Sequence, residues 1–339
     1  MKFKDYLDYE LNTKKSMELQ DVIKMCYQAA FGAEHLLEDL ERALAYFDEE
    51  FADTEERDVP LYEYISEDVA RVDLGAWKAS GMPKGWLFDL FVMATKEVYG
   101  GEEKMLENLE IVKGVLGNNP EMSEYIDRYV AEGIRPVHHS PSYREANKPA
   151  YRLVDRKHLR LVPILVAASK LDGGVIVIDG PCASGKSTMA TQLSEILGGS
   201  VVRIDDFFLP PELRTEKRLA EAGGNVHYER FKEEIVERLD SGGAFEYTRF
   251  DCSTMDYGNK VSVLDTKWRI VEGSYSHHPY FGEYGDIRVY SMVDASEQRS
   301  RILARNGEEM AKRFETMWIP MENRYFDEYN ICEGANLRV

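Results

Sequence analysis

Apolar positions in the first half of the chain recur at helical spacing. Leu19, Val22, Ile23, Cys26, Ala29 and Ala30 form one stripe, and after Gly32 a second runs through Leu36, Leu37, Leu40, Ala43, Leu44 and Phe47. Further helical patterns cover 87–98 and 105–116, with Ser80-Gly81-Met82-Pro83-Lys84-Gly85 as a breaker in the same half. Glu34-His35 reads as a polar pair satisfied within a helix. The two-proline run Ile134-Arg135-Pro136-Val137-His138-His139-Ser140-Pro141 predicts an ordered loop between helices, and 159–171 reads as a helix leading into a strand. From Gly173 onward the pattern changes. Short apolar runs at 175–178, 201–204, 268–271 and 287–293 alternate with helical patterns, which predicts a parallel sheet with right-handed crossovers. Asp294-Ala295-Ser296-Glu297 has the form of a capping box and predicts a helix through Leu303. The expected organisation is a mostly α-helical domain over 1–160 and an α/β domain over 161–339.

A chain of 339 residues is long enough for two such cores. Its formal net charge of −19 argues against sequence-independent nucleic-acid binding and against docking on an anionic membrane. No apolar run approaches a membrane span, and the first residues lack the apolar core of a signal peptide. The four cysteines, at 26, 182, 252 and 332, have no metal-binding spacing and read as reduced thiols. The expected location is the cytoplasm.

The chemistry concentrates after residue 173. Gly180-Pro181-Cys182-Ala183-Ser184-Gly185-Lys186-Ser187-Thr188 reads G-x-x-x-x-G-K-[ST]. A loop of this composition turns backbone N–H groups inward around phosphates. Gly180, Ala183, Ser184, Gly185 and Thr188 would form the cradle, Lys186 would reach the β/γ-phosphates, and Ser187 would ligate Mg²⁺. The flanking run 175–178 has the character of a buried strand. Met189, Leu193, Ile196 and Leu197 recur at helical spacing until Gly198-Gly199. Strand, loop and helix thus follow in the order a nucleoside-triphosphate site requires. Cys182 lies inside the loop and could be an oxidation-sensitive switch; a small residue at a variable loop position is the simpler reading.

Asp205 and Asp206 follow a strand pattern, at the sheet edge where ligands sit in open parallel sheets. A carboxylate there can take the proton of an attacking hydroxyl. Glu272 ends another strand and could hold Mg²⁺ through water. Arg301 and Arg305 lie four apart, on one helix face, and could clamp phosphate oxygens. In the first half, His138, His139, Tyr143, Arg144, Tyr151 and Arg152 form a dense group suited to an anion or a flat ring. A structural loop is the simpler reading of it.

The loop GPCASGKST, the strand end DDFF, the segment GGNVHYERF, the strand end EGSYSHHP and the stretch RILARNG follow one another in this order. In that order they resemble the uridine kinase/phosphoribulokinase-like family over residues 170 to about 330. The resemblance implies a P-loop kinase that moves the γ-phosphate of ATP to a hydroxyl of a small molecule. It implies Asp205 as the acid beside that hydroxyl, Glu272 as the acid near the metal, and Arg301 and Arg305 as lid arginines. The chain departs from the family pattern where the substrate is read, at His227 and around Tyr247 and Arg249. With Asp206, Arg144 and Tyr151, these are the candidate acceptor contacts. The expected function is an ATP- and Mg²⁺-dependent phosphotransferase acting on a nucleoside-like or related metabolite. The competing readings are an ATPase switch and an ATP-binding scaffold coupled to a helical interaction domain. Asn259-Lys260-Val261-Ser262 lacks the Asp of a guanine-reading N-K-x-D segment, which disfavours GTP.

Overall fold

The computed structural model describes residues 2–34, 36–97, 101–117 and 120–339, and His35 and Val98 of the expected helical runs lie outside these. The chain divides into two compact units, Met1–Val162 and Pro163–Val339.

The first unit is rich in helices. Helix Leu19–Phe31 buries the stripe read from its sequence, Val22, Ile23, Cys26, Ala29 and Ala30. The next stripe behaves differently. Its helix, Leu40–Asp53, starts only where Asp39 accepts the Arg42 N–H, so Leu36 and Leu37 precede it. Phe47 is buried, whereas Leu36, Leu40 and Leu44 are exposed. Helix Gly101–Leu116 covers the expected run at 105–116, whereas helix Lys84–Ala94 covers the run at 87–98 only as far as Ala94.

The first unit also holds a three-stranded antiparallel sheet that the periodicity did not reveal. It comprises β1 (Tyr62–Tyr64), β2 (Val69–Asp73) and β3 (Tyr151–Asp155), in that spatial order. β2 and β3 pair from Val69↔Asp155 to Asp73↔Tyr151. Strands this short carry too few alternations to stand out beside long helical patterns. The two-proline segment is the loop between helices that its sequence predicts, joining Pro120–Ala131 to a second helix, Pro141–Asn147. Ser140 caps it by accepting the Tyr143 N–H, and Pro141 occupies its first turn. The single helix expected over 159–171 is a 3₁₀ segment, Arg156–Leu161, followed by α-helix Val162–Ala168. Pro163 has no N–H to donate and suits only the first turn of a helix, which explains the division.

The second unit is built on five parallel strands in the order β10-β9-β4-β8-β5. These are β4 (Gly174–Asp179), β5 (Ser200–Arg203), β8 (Trp268–Glu272), β9 (Ile287–Tyr290) and β10 (Leu337–Arg338). Val177, Val202, Ile204, Val271, Phe207, Phe231 and Tyr325 lie in one buried apolar cluster with helical segments that flank the sheet. A parallel sheet covered in this way is the α/β phosphate-loop architecture read from the sequence. A separate antiparallel hairpin, β6 (Phe245–Asp251) and β7 (Asp256–Val263), was not foreseen as strands. Most of β7 is exposed, so it lacks the alternating apolar face that marks a strand in sequence.

Candidate active site

Three neighbouring strands, β4, β8 and β5, place their C-terminal ends side by side. The phosphate loop follows β4, Glu272 closes β8, and Asp205 follows β5 in a 3₁₀ turn, Ile204–Phe207. The loop's conformation explains its glycines. Gly180 has φ +137°, and a Cβ there would sit 2.4 Å from the Ser291 carbonyl oxygen. Gly185 caps helix Lys186–Leu197 in the left-handed region, and Gly198 ends that helix in the same region. Ala183 also has positive φ, at 58°. The positive end of the helix dipole therefore points into the loop, where anions are favoured.

Lys186 is buried. Its ammonium donates to the carbonyls of Gly180 at 2.8 Å and Pro181 at 2.9 Å, and to Ser274 Oγ at 3.3 Å. Ser187 Oγ donates to Glu272 Oε2 at 3.1 Å, which brings the two expected metal ligands together. Among the described residues no group of three His, Cys, Asp or Glu side chains could hold a metal ion. One hydroxyl and one carboxylate form the all-oxygen, partial ligand set that suits Mg²⁺, a cation that usually takes its remaining ligands from water and phosphates. The residues present fit that ion.

Burial raises the Glu272 carboxyl, and the Asp205 charge adds to the effect; Lys186, the Ser187 hydroxyl and Arg203 oppose it. Asp205 is open to solvent, yet the protein crowded behind it raises its carboxyl too. Asp206 adds to this shift, and Lys186, Arg203 and Arg305 oppose it. Because solvent reaches Asp205, screening weakens the bias without changing its direction. Gly273, at φ +130°, lets the chain pass closely here, since a Cβ would meet Ile204 Cγ2 at 2.5 Å. Arg301 donates to the Ala183 carbonyl of the loop at 3.0 Å, and the Arg305 charge favours the ionised Asp205 carboxylate. Their helix, Ala295–Arg313, is interrupted at Gly307 (φ 76°, ψ 171°), just past them.

Asp206 is buried where Asp205 is exposed. It accepts the Tyr247 hydroxyl at 2.8 Å and pairs with Arg249 Nε at 3.2 Å. The structure thus gathers three candidate acceptor residues that the sequence separates by some forty positions, and the unforeseen β6–β7 hairpin does the gathering. Phe207 packs between Phe231, at 5.0 Å, and Tyr247, at 5.1 Å between ring centroids, which fixes the hairpin against the turn carrying both acids. His227 joins through its backbone, its N–H donating to the Phe207 carbonyl at 2.7 Å. Asn225 Oδ1, His227 Nδ1 and Arg230 Nη1 are buried side-chain atoms without a hydrogen-bond partner among the described residues. Unpaired buried polar atoms cost free energy, and three fall in this one short segment. Asp206→Asn removes the like charge that lifts Asp205. The Asp205 carboxyl should then titrate at lower pH in carboxyl ¹³C NMR of the nucleotide-free protein. An unchanged or higher midpoint contradicts the coupling.

Two residues absent from the sequence reading complete the loop's surroundings, both from helix Ile319–Glu328. Glu322 is buried and accepts the Cys182 N–H at 2.9 Å and the Ser274 hydroxyl at 2.8 Å. Burial raises its carboxyl, against Lys186 and those hydrogen bonds. Burial and Glu322 together push the Cys182 thiol up to about 12, so it is a poor thiolate and a poor redox switch. Tyr325 donates its hydroxyl to Asp179 Oδ2 at 2.8 Å, and Asp179 also accepts the N–H groups of Gly180, Tyr275 and His277. Nothing in an ordinary amphipathic helix announces such partners. Tyr325→Phe keeps the ring and deletes one hydrogen bond to a buried carboxyl. It should cost about 1.5–3 kcal/mol in urea unfolding, and a loss below 0.5 kcal/mol would show that the bond is dispensable.

Arg144 and Tyr151 belong to the first unit. Arg144 is exposed on helix Pro141–Asn147, and the Tyr151 hydroxyl is engaged with Gln28 and His139. His277 and His278 bond backbone carbonyls, of Val177 and Ala222, and have no metal-ligand arrangement. No helix among the described residues is long and apolar enough to cross a membrane.

No family model and no curated protein matches the chain. Among solved structures it is similar to one described as a possible uridine kinase from Bacillus stearothermophilus, at 22% identity and TM-score 0.42. That match covers 54% of this chain and 97% of the other. It is also similar to a protein assigned provisionally as a fructose transport system kinase from Silicibacter sp. TM1040, at 19% identity and TM-score 0.41, covering 50% of this chain and 91% of the other.

Proposed function

We propose that the second unit is an ATP-dependent phosphotransferase acting on a hydroxyl of a small polar metabolite, of nucleoside-like or related size. The observation that carries this reading is the convergence of Lys186, the Ser187–Glu272 pair and Asp205 at the ends of three adjacent strands. ATP would lie with its phosphates in the 180–188 loop, and Lys186 would exchange its carbonyl partners for β/γ-phosphate oxygens. Mg²⁺, held by Ser187 and through water by Glu272, would neutralise charge on those oxygens. Asp205 takes the proton of the acceptor hydroxyl as its oxygen bonds to Pγ. The bond from Pγ to the β–γ bridging oxygen breaks, and ADP carries that oxygen away. A carboxyl raised by its surroundings is a better proton acceptor than an ordinary aspartate. Arg301 and Arg305 stand where charge accumulates during transfer.

Asp206, Tyr247, Arg249 and His227 form the acceptor side, supported by the buried unpaired atoms of Asn225 and His227. ADP release by the full chain, measured against a panel of nucleosides, vitamins and sugars, tests the reading. Release that depends on one acceptor class supports it. Release that ignores every acceptor describes an ATPase switch instead.

A further inference from the structure

The first unit contains a buried polar network of its own. Asp21 accepts four hydrogen bonds, from the backbone of Glu18, the backbone and hydroxyl of Ser140, and His139 Nδ1. A carboxylate only accepts, so His139 carries its proton on Nδ1. Nε2 is then left to accept the Tyr151 hydroxyl at 2.8 Å. Gln28 donates to that hydroxyl and accepts Arg71 Nη2 at 2.6 Å. Arg71 lies over the Tyr151 ring at 4.5 Å and donates to Glu10 at 3.4 Å, and Glu10 also accepts the Tyr143 hydroxyl at 3.2 Å. His139 stacks on Tyr143 at 4.3 Å. Both oxygens of Asp21 are thus taken by donors within this chain of contacts, as is Oε2 of Glu10.

Two cations at its edge are left over. Lys24 follows Asp21 and precedes Gln28 by one turn each, so the three share a helix face. Its ammonium has three donors but makes one hydrogen bond among the described residues, to the Val137 carbonyl at 3.1 Å, and no carboxylate lies within 4.0 Å. Arg144 directly follows Tyr143, whose ring stacks on His139, and its side chain has no hydrogen-bond or ion-pair partner among the described residues. The two cations act on each other as well. Burial pulls the Lys24 ammonium down to about 8, and the positive charges of Arg71 and Arg144 pull in the same direction against Asp21 alone. His139 cannot help as a cation, because burial and Lys24 hold it near 3 despite Asp21. Gathering like charges around a half-buried ammonium is unfavourable unless an anion joins them.

We propose that Lys24 and Arg144, backed by Arg71 and the Asp21–His139–Tyr151 network, form a binding site for a small oxyanion, the phosphate or carboxylate group of a metabolite. The helical unit is then a ligand-binding module in its own right. Lys24 supplies two free donors and a charge, and Arg144 supplies an exposed guanidinium free to rotate onto the anion. Arg71 contributes field but no donor, since its nitrogens are spent on Gln28, Glu10 and Glu63.

Lysine-¹³Cε NMR of the full chain tests this locally, because it reads Lys24 separately from Lys186, the lysine of the 180–188 loop. In chloride buffer the Lys24 midpoint should lie near 8. Added inorganic phosphate or acetate should raise it by about one pH unit or more, since an adjacent anion favours the ammonium. A response to phosphate alone assigns a phosphoryl ligand, and a response to acetate alone a carboxylate. Arg144→Gln should weaken the responding anion's apparent affinity by about tenfold, the usual scale for losing one charge-assisted contact. A Lys24 midpoint that neither anion moves overturns the proposal, as does an identical response in Arg144→Gln.

Discussion

Asp205→Asn is expected to lower acceptor-dependent ATP turnover by about 10²–10⁴-fold while leaving ATP affinity nearly unchanged. The carboxamide keeps the size of the side chain but cannot take the acceptor's proton. The same variant should be more thermostable at neutral pH without nucleotide. The folded protein holds the Asp205 carboxyl above its ordinary value, mainly through crowding by the protein and also through Asp206. Folding therefore favours the protonated form. That contribution is fully present below the unfolded pKa and is lost as pH rises through the folded one, so at pH 7 the carboxylate is a burden that asparagine removes. Thermal melts at pH 7 and pH 4 should show a gain at the first that shrinks at the second. Full turnover in Asp205→Asn, or a variant less stable at pH 7, would remove Asp205 from the role proposed for it. Loss of activity with a gain in stability separates a strained functional acid from a structural one, whose removal costs both.

Lys186→Ala should reduce turnover on the order of 10²–10³-fold or more, the scale for deleting a donor aimed at charge that develops during reaction. Its effect on the nucleotide-free protein is more diagnostic. One ammonium holds down three raised carboxyls, those of Asp205, Glu272 and Glu322. Without it each carboxylate becomes harder to keep ionised inside the fold. The variant should melt lower at pH 7, and the deficit should close as pH falls and the carboxyls take up protons. Melting curves across pH 4–8, with circular dichroism to establish a native-like fold, measure this. A deficit independent of pH would mean that Lys186 acts through its hydrogen bonds to Gly180 and Pro181 rather than through charge.

The phosphate loop was legible because its chemistry is local: nine consecutive residues make the cradle, and their spacing is the geometry. The strand ends carrying Asp205 and Glu272 were legible for a related reason, since short β-branched runs between helical patterns locate the edge of a parallel sheet. Legibility ended where contacts are long-range. The β6–β7 hairpin exposes most of β7, so no alternation marked it, yet it delivers Tyr247 and Arg249 to Asp206. Glu322 and Tyr325 sit in a helix whose sequence pattern says only that one face is buried. The same holds in the first unit, where β3 pairs with a strand about eighty residues earlier and Leu40 and Leu44 face outward despite their helical spacing.

The contacts of Asp179 have a consequence for how the site comes into being. That one carboxyl joins the start of the phosphate loop to amides 96 and 98 residues later and to a hydroxyl 146 residues later. Closing loops of that length is slow and is rewarded only when all partners have arrived. The cradle read so easily from nine adjacent residues therefore takes its final shape only after helix Ile319–Glu328 has docked. Nucleotide binding during refolding should appear with the last phase rather than with the first turn of the loop's helix, and in a chain emerging from synthesis the nucleotide site comes last.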